Sequence, residues 1–139
     1  MATVIRPVIS EKNKYYIDKH RYYELKHFCL QYKEWKKAYA ACNESIIFAS
    51  EIEKGPASNV HSDLTAKYAV KRAYYAERIR LIENIAIEAD AYLYKYILKA
   101  VTEGLSYTHL KASLEIPCGR DMYYDRYRRF FWLLSEARD

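Results

Sequence analysis

Residues 106–134, SYTHLKASLEIPCGRDMYYDRYRRFFWLL, decide the fold that we predict for this chain. Ser106 is a favourable N-cap for a short helix of about two turns. Pro117 and Gly119 then interrupt the helical pattern, so we expect a tight turn in which an apolar residue, Ile116, anchors the chain to the core. A last helix follows over residues 119–134. Its apolar face, spaced by 4, 3 and 4 residues, consists of Tyr123, Tyr127, Phe130 and Leu134.

A short helix, a tight turn and a basic helix, in this order, are typical of a helix-turn-helix motif. The first residues of the second helix enter the major groove of DNA in such a motif, so Arg120 is the first candidate for a base contact. Tyr124 lies one turn further on and is expected to contact a phosphate or stack on a base. The remaining candidates for DNA contacts are Arg126, Arg128, Arg129, Ser106 and Lys111.

The same helix has a second interpretation, as a core helix with a solvated basic face. Asp121 and Asp125 lie among the arginines, and carboxylates repel phosphates. Asp125 and Arg129 are four residues apart, the spacing of a surface ion pair. Trp132 falls near the polar side, where it suggests a dimer contact or a bend in the helix. The spacing alone leaves both interpretations open.

The composition favours an all-α fold. The chain has 139 residues, of which 51% are apolar, and only three glycines and three prolines. Sheets and barrels usually require more turn residues, so long helices are expected. We predict an N-terminal helical region over 1–54, a linker over 55–62, and a long helix followed by the helix-turn-helix over 63–139.

Local signals refine this division. Residues 1–10 are expected to form an extended arm, and a helix is expected after Ser10 or Asp18, with a kink near Lys33. The segment GPASNVHSD, residues 55–63, is typical of a linker, and Ser62 or Asp63 would cap the long helix. A further helix is expected between Asp90 as N-cap and Gly104 as terminator.

Charge and cysteine content bound the setting of the protein. The net charge is +5, which suits a polyanionic partner without requiring one. Three cysteines are an odd number, and we interpret them as reduced thiols in a cytoplasmic protein. No apolar run approaches the roughly 20 residues that span a bilayer, and the N-terminus has no pattern of a secretory leader. We therefore expect no membrane association.

No pattern indicates an enzyme, a cofactor or a metal site. His27 and Cys29 are two residues apart on a helix and therefore point to different faces. Cys118 lies near a helix N-terminus, where a thiol pKa can fall, although a packed turn residue is the simpler interpretation. There is no glycine-rich phosphate loop and no nucleophile elbow.

The stretch SDLTAKYAVKRAYYAERIRLIENIAIEADAYLYKYILKAVTEGLSYTHLKASLEIPCGRDMYYDRYRRFFWLL, together with ELKHFCLQYKEWKKAY, resembles the RinA and ArpU late-gene transcriptional regulators of phages and integrated elements. The resemblance implies an N-terminal helical region, a long helix and a C-terminal helix-turn-helix similar to region 4 of sigma factors. By position, residues 106–114 would be the supporting helix and 120–134 the recognition helix. The turn IPCGRD departs from the Ser/Thr-capped turn of such modules.

The expected function is therefore that of a DNA-binding transcriptional regulator. Its partners would be double-stranded DNA and, through the long helices, a second copy of the chain, RNA polymerase or another host protein. One alternative is a phage-encoded adaptor or inhibitor whose tyrosine-rich helices bind a host protein without DNA. Another is a small packaging subunit, which would bind DNA as a ring.

Overall fold

The computed structural model describes residues 13–52 and 58–138. These residues form six helices and no strand, so the predicted all-α class is confirmed. The helices are α1 (Lys19–Leu30), α2 (Tyr32–Ile52), α3 (Ser58–Ala89), α4 (Tyr94–Glu103), α5 (Tyr107–Leu114) and α6 (Arg120–Ala137). The arm predicted over residues 1–10 lies outside the described residues.

The chain divides into two compact units. The first combines the described residues up to Gln31 with those from Ile82 onward, and the second comprises residues 32–81. These limits differ from the predicted regions because α1 packs against helices more than 60 residues later in the chain. Long-range packing of this kind leaves no local pattern in the sequence.

The first half of the chain follows the predicted helices with shifted limits. A helix begins after Asp18 as expected, and it breaks at Gln31, two residues before the kink predicted at Lys33. α3 begins at Ser58, inside the predicted linker, so Ser62 and Asp63 lie within the helix rather than at its N-cap. Residues 53–57 lie outside the described residues.

Of the residues predicted to bound the helices between α3 and α6, Gly104 and Ser106 act as expected, but Asp90 is not the N-cap of α4, because that position is Leu93. The Asp90 carboxylate accepts 2.8 Å hydrogen bonds from the N–H groups of Tyr92 and Leu93, which fixes the turn before α4. Gly104 ends α4 with φ at 69°, a left-handed conformation that glycine adopts without strain. Ser106 caps α5, because its hydroxyl accepts a 3.2 Å bond from the N–H of His109.

The core of the first unit is aromatic. The ring centroids of Tyr22, Tyr127 and Phe130 each lie about 5 Å from that of Phe131, in edge-on contacts. Such pairs contribute roughly 0.5–1.5 kcal/mol each beyond the burial of their area. All four residues of the predicted apolar face of α6 are buried: Tyr123, Tyr127, Phe130 and Leu134.

The second unit contains α2 and the first part of α3. Trp35, Cys42 and Ala49 are buried on α2 at intervals of seven residues, the spacing of a helix seam. Arg72 of α3 donates a 2.9 Å bond to the side-chain oxygen of Asn43 of α2. Large apolar side chains also remain exposed in this unit: Ile47, Phe48, Leu64, Val70 and Tyr74.

Candidate nucleic-acid interface

The turn between α5 and α6 has the predicted form. The side chain of Ile116 is fully buried and anchors the turn to the core. The Tyr107 hydroxyl donates a 2.7 Å bond to the carbonyl of Cys118, and the N–H of Ile116 donates a 3.3 Å bond to the carbonyl of Leu110. Residues 107–137 therefore form two helices joined at a fixed corner, as a helix-turn-helix requires.

The turn begins with a strained residue. Glu115 ends α5 with φ at 52°, and it is the only residue other than glycine with positive φ in the described part of the chain. A side chain in this left-handed region costs roughly 1 kcal/mol or more. The corner is therefore held by its contacts rather than by an intrinsic preference of its sequence.

The N-terminus of α6 is available for an anion. Gly119 is the N-cap and has no side chain that could accept a hydrogen bond from the first turn of the helix. The first N–H groups of a helix lack intrahelical partners, and with the helix dipole they form a site suited to a phosphate oxygen. Asp121 is also exposed in this turn, so one carboxylate lies beside the free N–H groups.

Arg120 is exposed beside this N-terminus, as the sequence predicted. Its guanidinium carbon lies 5.0 Å from the ring centroid of Tyr107 and 5.9 Å from that of Tyr124. A 3.5 Å contact to the Thr108 hydroxyl is the hydrogen bond that the guanidinium makes within the described residues. The two rings therefore orient a cation that forms no ion pair with any carboxylate in the described residues. The sequence pattern did not identify Tyr107 in this role.

Tyr124 does not lie where the sequence placed it. The predicted contact with DNA requires an exposed ring, but only 8% of Tyr124 is exposed. Its ring packs against those of Tyr107, Tyr123 and Tyr127, because α5 covers the flank of α6 that the spacing left open. The buried hydroxyl has no hydrogen-bond partner among the described residues. We therefore assign Tyr124 to the core, where it supports Arg120.

Arg126 is held by carboxylates. Its Nε donates a 2.9 Å bond to Asp90, and its terminal nitrogen pairs with Asp125. Burial raises the pKa of Asp90, but the bonds from the Leu93 N–H, Arg126 and the Tyr92 N–H outweigh it and hold that pKa below its usual value. Arg126 therefore joins α6 to the turn before α4, and the geometry does not support its predicted contact with DNA.

Arg128 and Arg129 are half-buried further along α6. Arg129 donates a 3.3 Å bond to the Tyr15 hydroxyl and a 3.5 Å bond to the carbonyl of Glu88. The surface pair expected between Arg129 and Asp125 is absent, since Asp125 pairs with Arg126. The Nε of Arg128 is buried without a partner within the described chain. Part of each guanidinium is therefore buried or hydrogen-bonded within the protein and is not open to a DNA phosphate.

Trp132 packs on the segment before α1. Its ring centroid lies 6.0 Å from that of Tyr15, and the side chain is half-buried. The residue that the sequence placed near the polar side is therefore covered by another part of the same chain. It does not require a dimer contact.

Ser106 and Lys111, the two DNA contacts predicted at α5, have different surroundings. The Ser106 hydroxyl is occupied by its cap on α5. Lys111 is exposed, and its only hydrogen bond in the described chain is a long 3.5 Å contact to the Ile116 carbonyl. Residues 111–121 around the turn include two exposed cations, Lys111 and Arg120, and two exposed carboxylates, Glu115 and Asp121. The surface is therefore mixed in charge rather than uniformly positive.

The remaining chemistry of this region is limited. Burial, followed by the Asp90 carboxylate, raises the pKa of the Cys118 thiol, so the lowering expected near a helix N-terminus does not occur. In the residues that the structure describes, no group of three or more His, Cys, Asp or Glu side chains could hold a metal ion. Nor does any helix in those residues have the length and apolarity needed to cross a bilayer.

Comparison with known proteins adds no relative. No family model, no curated protein and no solved structure matches this chain. The resemblance to the RinA and ArpU regulators therefore stays a prediction, and function has to be argued from the site itself.

Proposed function

We propose that α5 and α6 form a DNA-binding helix-turn-helix and that the protein is a transcriptional regulator of phage or integrated-element origin. One observation carries this proposal: an exposed Arg120, oriented by Tyr107 and Tyr124, lies beside the uncapped N-terminus of α6. This is the end of a recognition helix that approaches the bases.

The arrangement suits both parts of a duplex. The free N–H groups of α6 would bind a backbone phosphate and so set the position of the helix. The guanidinium of Arg120 would then donate two hydrogen bonds to a guanine in the major groove. Because the rings of Tyr107 and Tyr124 already restrict its motion, less side-chain entropy is lost on binding. Lys111 would add a phosphate contact from α5.

The experiment compares two arginines at opposite ends of α6. Duplexes are first selected from a random pool with the unaltered protein, and their binding is then measured by fluorescence anisotropy. Arg120→Ala should lower the affinity by roughly 5- to 150-fold, which corresponds to the removal of a base contact worth about 1–3 kcal/mol. Arg138→Ala is the control, since Arg138 is also exposed and stacked, 3.9 Å from the Phe28 ring.

The control should change binding by no more than about twofold, as expected for a surface charge away from the DNA. Helical circular dichroism should be the same in both variants. Equal losses of affinity in the two variants would show that Arg120 has no special role and would contradict the site.

A protein-interaction module is the second candidate, and a specific observation favours it. Carboxylates neutralise Arg126, and the exposed surface around the turn is mixed in charge, which suits a protein partner as well as DNA. This function predicts that no duplex is enriched from the random pool. It also predicts that a purified host protein binds with little dependence on salt.

A further inference from the structure

A second basic surface lies on α3, in the part of that helix that belongs to the second unit. Between residues 64 and 81 the sequence contains one carboxylate, Glu77, and five cations. The cations are Lys67, Lys71, Arg72, Arg78 and Arg80. Such an excess on one helix, in a chain whose total charge is only +5, gives this segment a strong local positive potential.

Three of the cations share one face of α3 with an aromatic ring. Lys67, Lys71, Tyr74 and Arg78 are spaced by 4, 3 and 4 residues, which places them within about 60° around the helix. The cations extend over about 16 Å along the axis, at a rise of about 1.5 Å per residue. We name these four residues the basic stripe. Arg72 and Arg80 project elsewhere, and Arg72 bonds to Asn43 of α2.

The basic stripe is open to solvent at its two lysines and half-buried at Arg78. Lys67 and Lys71 are exposed, and Tyr74 is 49% exposed. The guanidinium of Arg78 lies 3.4 Å from the centroid of the Tyr74 ring and donates a 3.1 Å bond to the Tyr74 carbonyl. These contacts fix the position of Arg78 without neutralising its charge.

No carboxylate pairs with the basic stripe in the described parts of the chain. Asp63 is four residues before Lys67, a spacing that permits a surface ion pair, yet no such pair forms. Glu77 lies about 100° around the helix from Arg78. A face of three unpaired cations in a row differs from an ordinary solvated face, on which charges of both signs alternate.

We propose that the basic stripe binds the phosphate backbone of double-stranded DNA without regard to base sequence. Three unpaired cations along one helical face complement a polyanion, and each phosphate that they neutralise releases counterions. Because Arg78 covers one face of the Tyr74 ring, stacking on a base is less suited to this surface than contact with phosphates. The stripe would hold the protein near DNA, whatever the role of Arg120.

The experiment measures how binding depends on salt. The probe is a 30-base-pair duplex of random sequence, titrated by fluorescence anisotropy at several salt concentrations. Substitution of Lys67, Lys71 and Arg78 together by Ala should reduce the slope of log affinity against log salt by roughly 2.7, or about 0.9 for each phosphate that is no longer neutralised. Lys71→Ala alone should reduce it by about 0.9.

The matched control is Arg80→Ala, which removes one exposed charge from the opposite side of the same helix and should leave the slope unchanged. A second control exchanges the cations, with Lys67→Arg, Lys71→Arg and Arg78→Lys, and should keep the slope of the unaltered protein. This variant separates loss of charge from loss of fold, and thermal denaturation followed by circular dichroism checks the fold of each protein.

Three results would overturn the proposal. The first is an unchanged salt slope in the triple Ala variant, and the second is an equal effect of Arg80→Ala and Lys71→Ala on that slope. The third is a triple Ala variant that still binds DNA but no longer binds phosphatidylserine vesicles. The outcome is independent of the proposed function. If Arg120→Ala leaves DNA affinity unchanged while the triple Ala variant has the reduced salt slope, the helix-turn-helix proposal fails and the basic stripe stands. If Arg120→Ala lowers the affinity while the triple Ala variant keeps the slope of the unaltered protein, the basic stripe fails and the helix-turn-helix stands.

Discussion

α6 and the basic stripe of α3 are both rich in arginine or lysine and tyrosine, but their cations have different surroundings. In α6, Arg126 is bound by two carboxylates and Arg129 donates to Tyr15 and to a backbone carbonyl. On the stripe, the guanidinium of Arg78 stacks on the Tyr74 ring and donates to the Tyr74 carbonyl of the same helix, and no carboxylate of the described residues pairs with it. The number of basic residues in a helix therefore does not give the charge that the helix offers to a partner.

The difference follows from what surrounds each helix. α6 contacts both α1 and α4, and its flanks are covered by side chains from several elements. Those elements bring carboxylates, hydroxyls and carbonyl groups to the arginines. Arg120 at the start of α6 escapes this pairing because its neighbours are the rings of Tyr107 and Tyr124. In its surroundings, Arg120 resembles Arg78 of the basic stripe, since both guanidinium groups lie over tyrosine rings.

The largest expected effect is a loss of stability, and it tests how tightly the surroundings of α6 and of the basic stripe are packed. Phe130 is fully buried in the core around α6, whereas Val70, beside the basic stripe, is 71% exposed. Phe130→Ala should lower the free energy of unfolding by about 3–5 kcal/mol, because it removes a buried ring and leaves a cavity. Val70→Ala should change it by less than about 0.5 kcal/mol. Urea denaturation followed by circular dichroism measures both, and similar losses would show that the two surfaces are packed alike.

A smaller loss of stability is expected when the ion pair between Asp90 and Arg126 of α6 is removed. Asp90→Asn keeps the oxygen that accepts from Tyr92 and Leu93 but removes the charge opposite Arg126. It should lower the free energy of unfolding by about 1.5–3 kcal/mol at pH 7, as for a hydrogen bond to a charged group. The pKa of Asp90 is lowered by folding, so its contribution is complete above the unfolded pKa of about 4 and is lost as pH falls through the folded value.

The measurement is urea denaturation of both proteins between pH 7 and pH 2. The difference in stability should be constant down to about pH 4 and should disappear at more acidic pH. A difference that does not decrease as pH falls below about 4 would show that the substitution acts through the shape of the turn rather than through the charge.

The smallest effects separate two tyrosines of α6 that lie on the same core. The Tyr127 hydroxyl forms a buried 2.7 Å hydrogen bond with that of Tyr22, whereas the buried Tyr124 hydroxyl has no partner in the described residues. Tyr127→Phe should destabilise by about 1 kcal/mol, because it also leaves the Tyr22 hydroxyl unpaired. Tyr124→Phe should be neutral or slightly stabilising. Thermal denaturation in parallel compares them, and an equal loss from Tyr124→Phe would reveal a partner for its hydroxyl.

Local sequence patterns predicted the helices and turns, but they did not predict which side chains of other helices contact the residues of α6. Ser106, Gly104 and the apolar spacing of α6 act through residues a few positions away, so the helices and the corner at Ile116 could be predicted. Tyr124 and Arg126 could not be placed, because Tyr107 and Asp90 approach them from other elements. Arg120 was placed correctly at an exposed helix start, and its role in binding stays a prediction.

The hydrogen bond between Tyr22 and Tyr127 joins residues 105 positions apart in the chain. During translation, α1 leaves the ribosome long before α6 exists, roughly 5–20 s earlier at about 5–20 residues per second. The segment 32–81 is continuous in the chain, so all the residues of the second unit have been synthesised before α6 exists. The apolar side chains of α1, by contrast, have no complete core to enter until the last helix is synthesised. Nascent chains that stall before α6 would therefore expose Tyr22, Leu25 and Phe28, and would be targets for chaperones that bind hydrophobic segments.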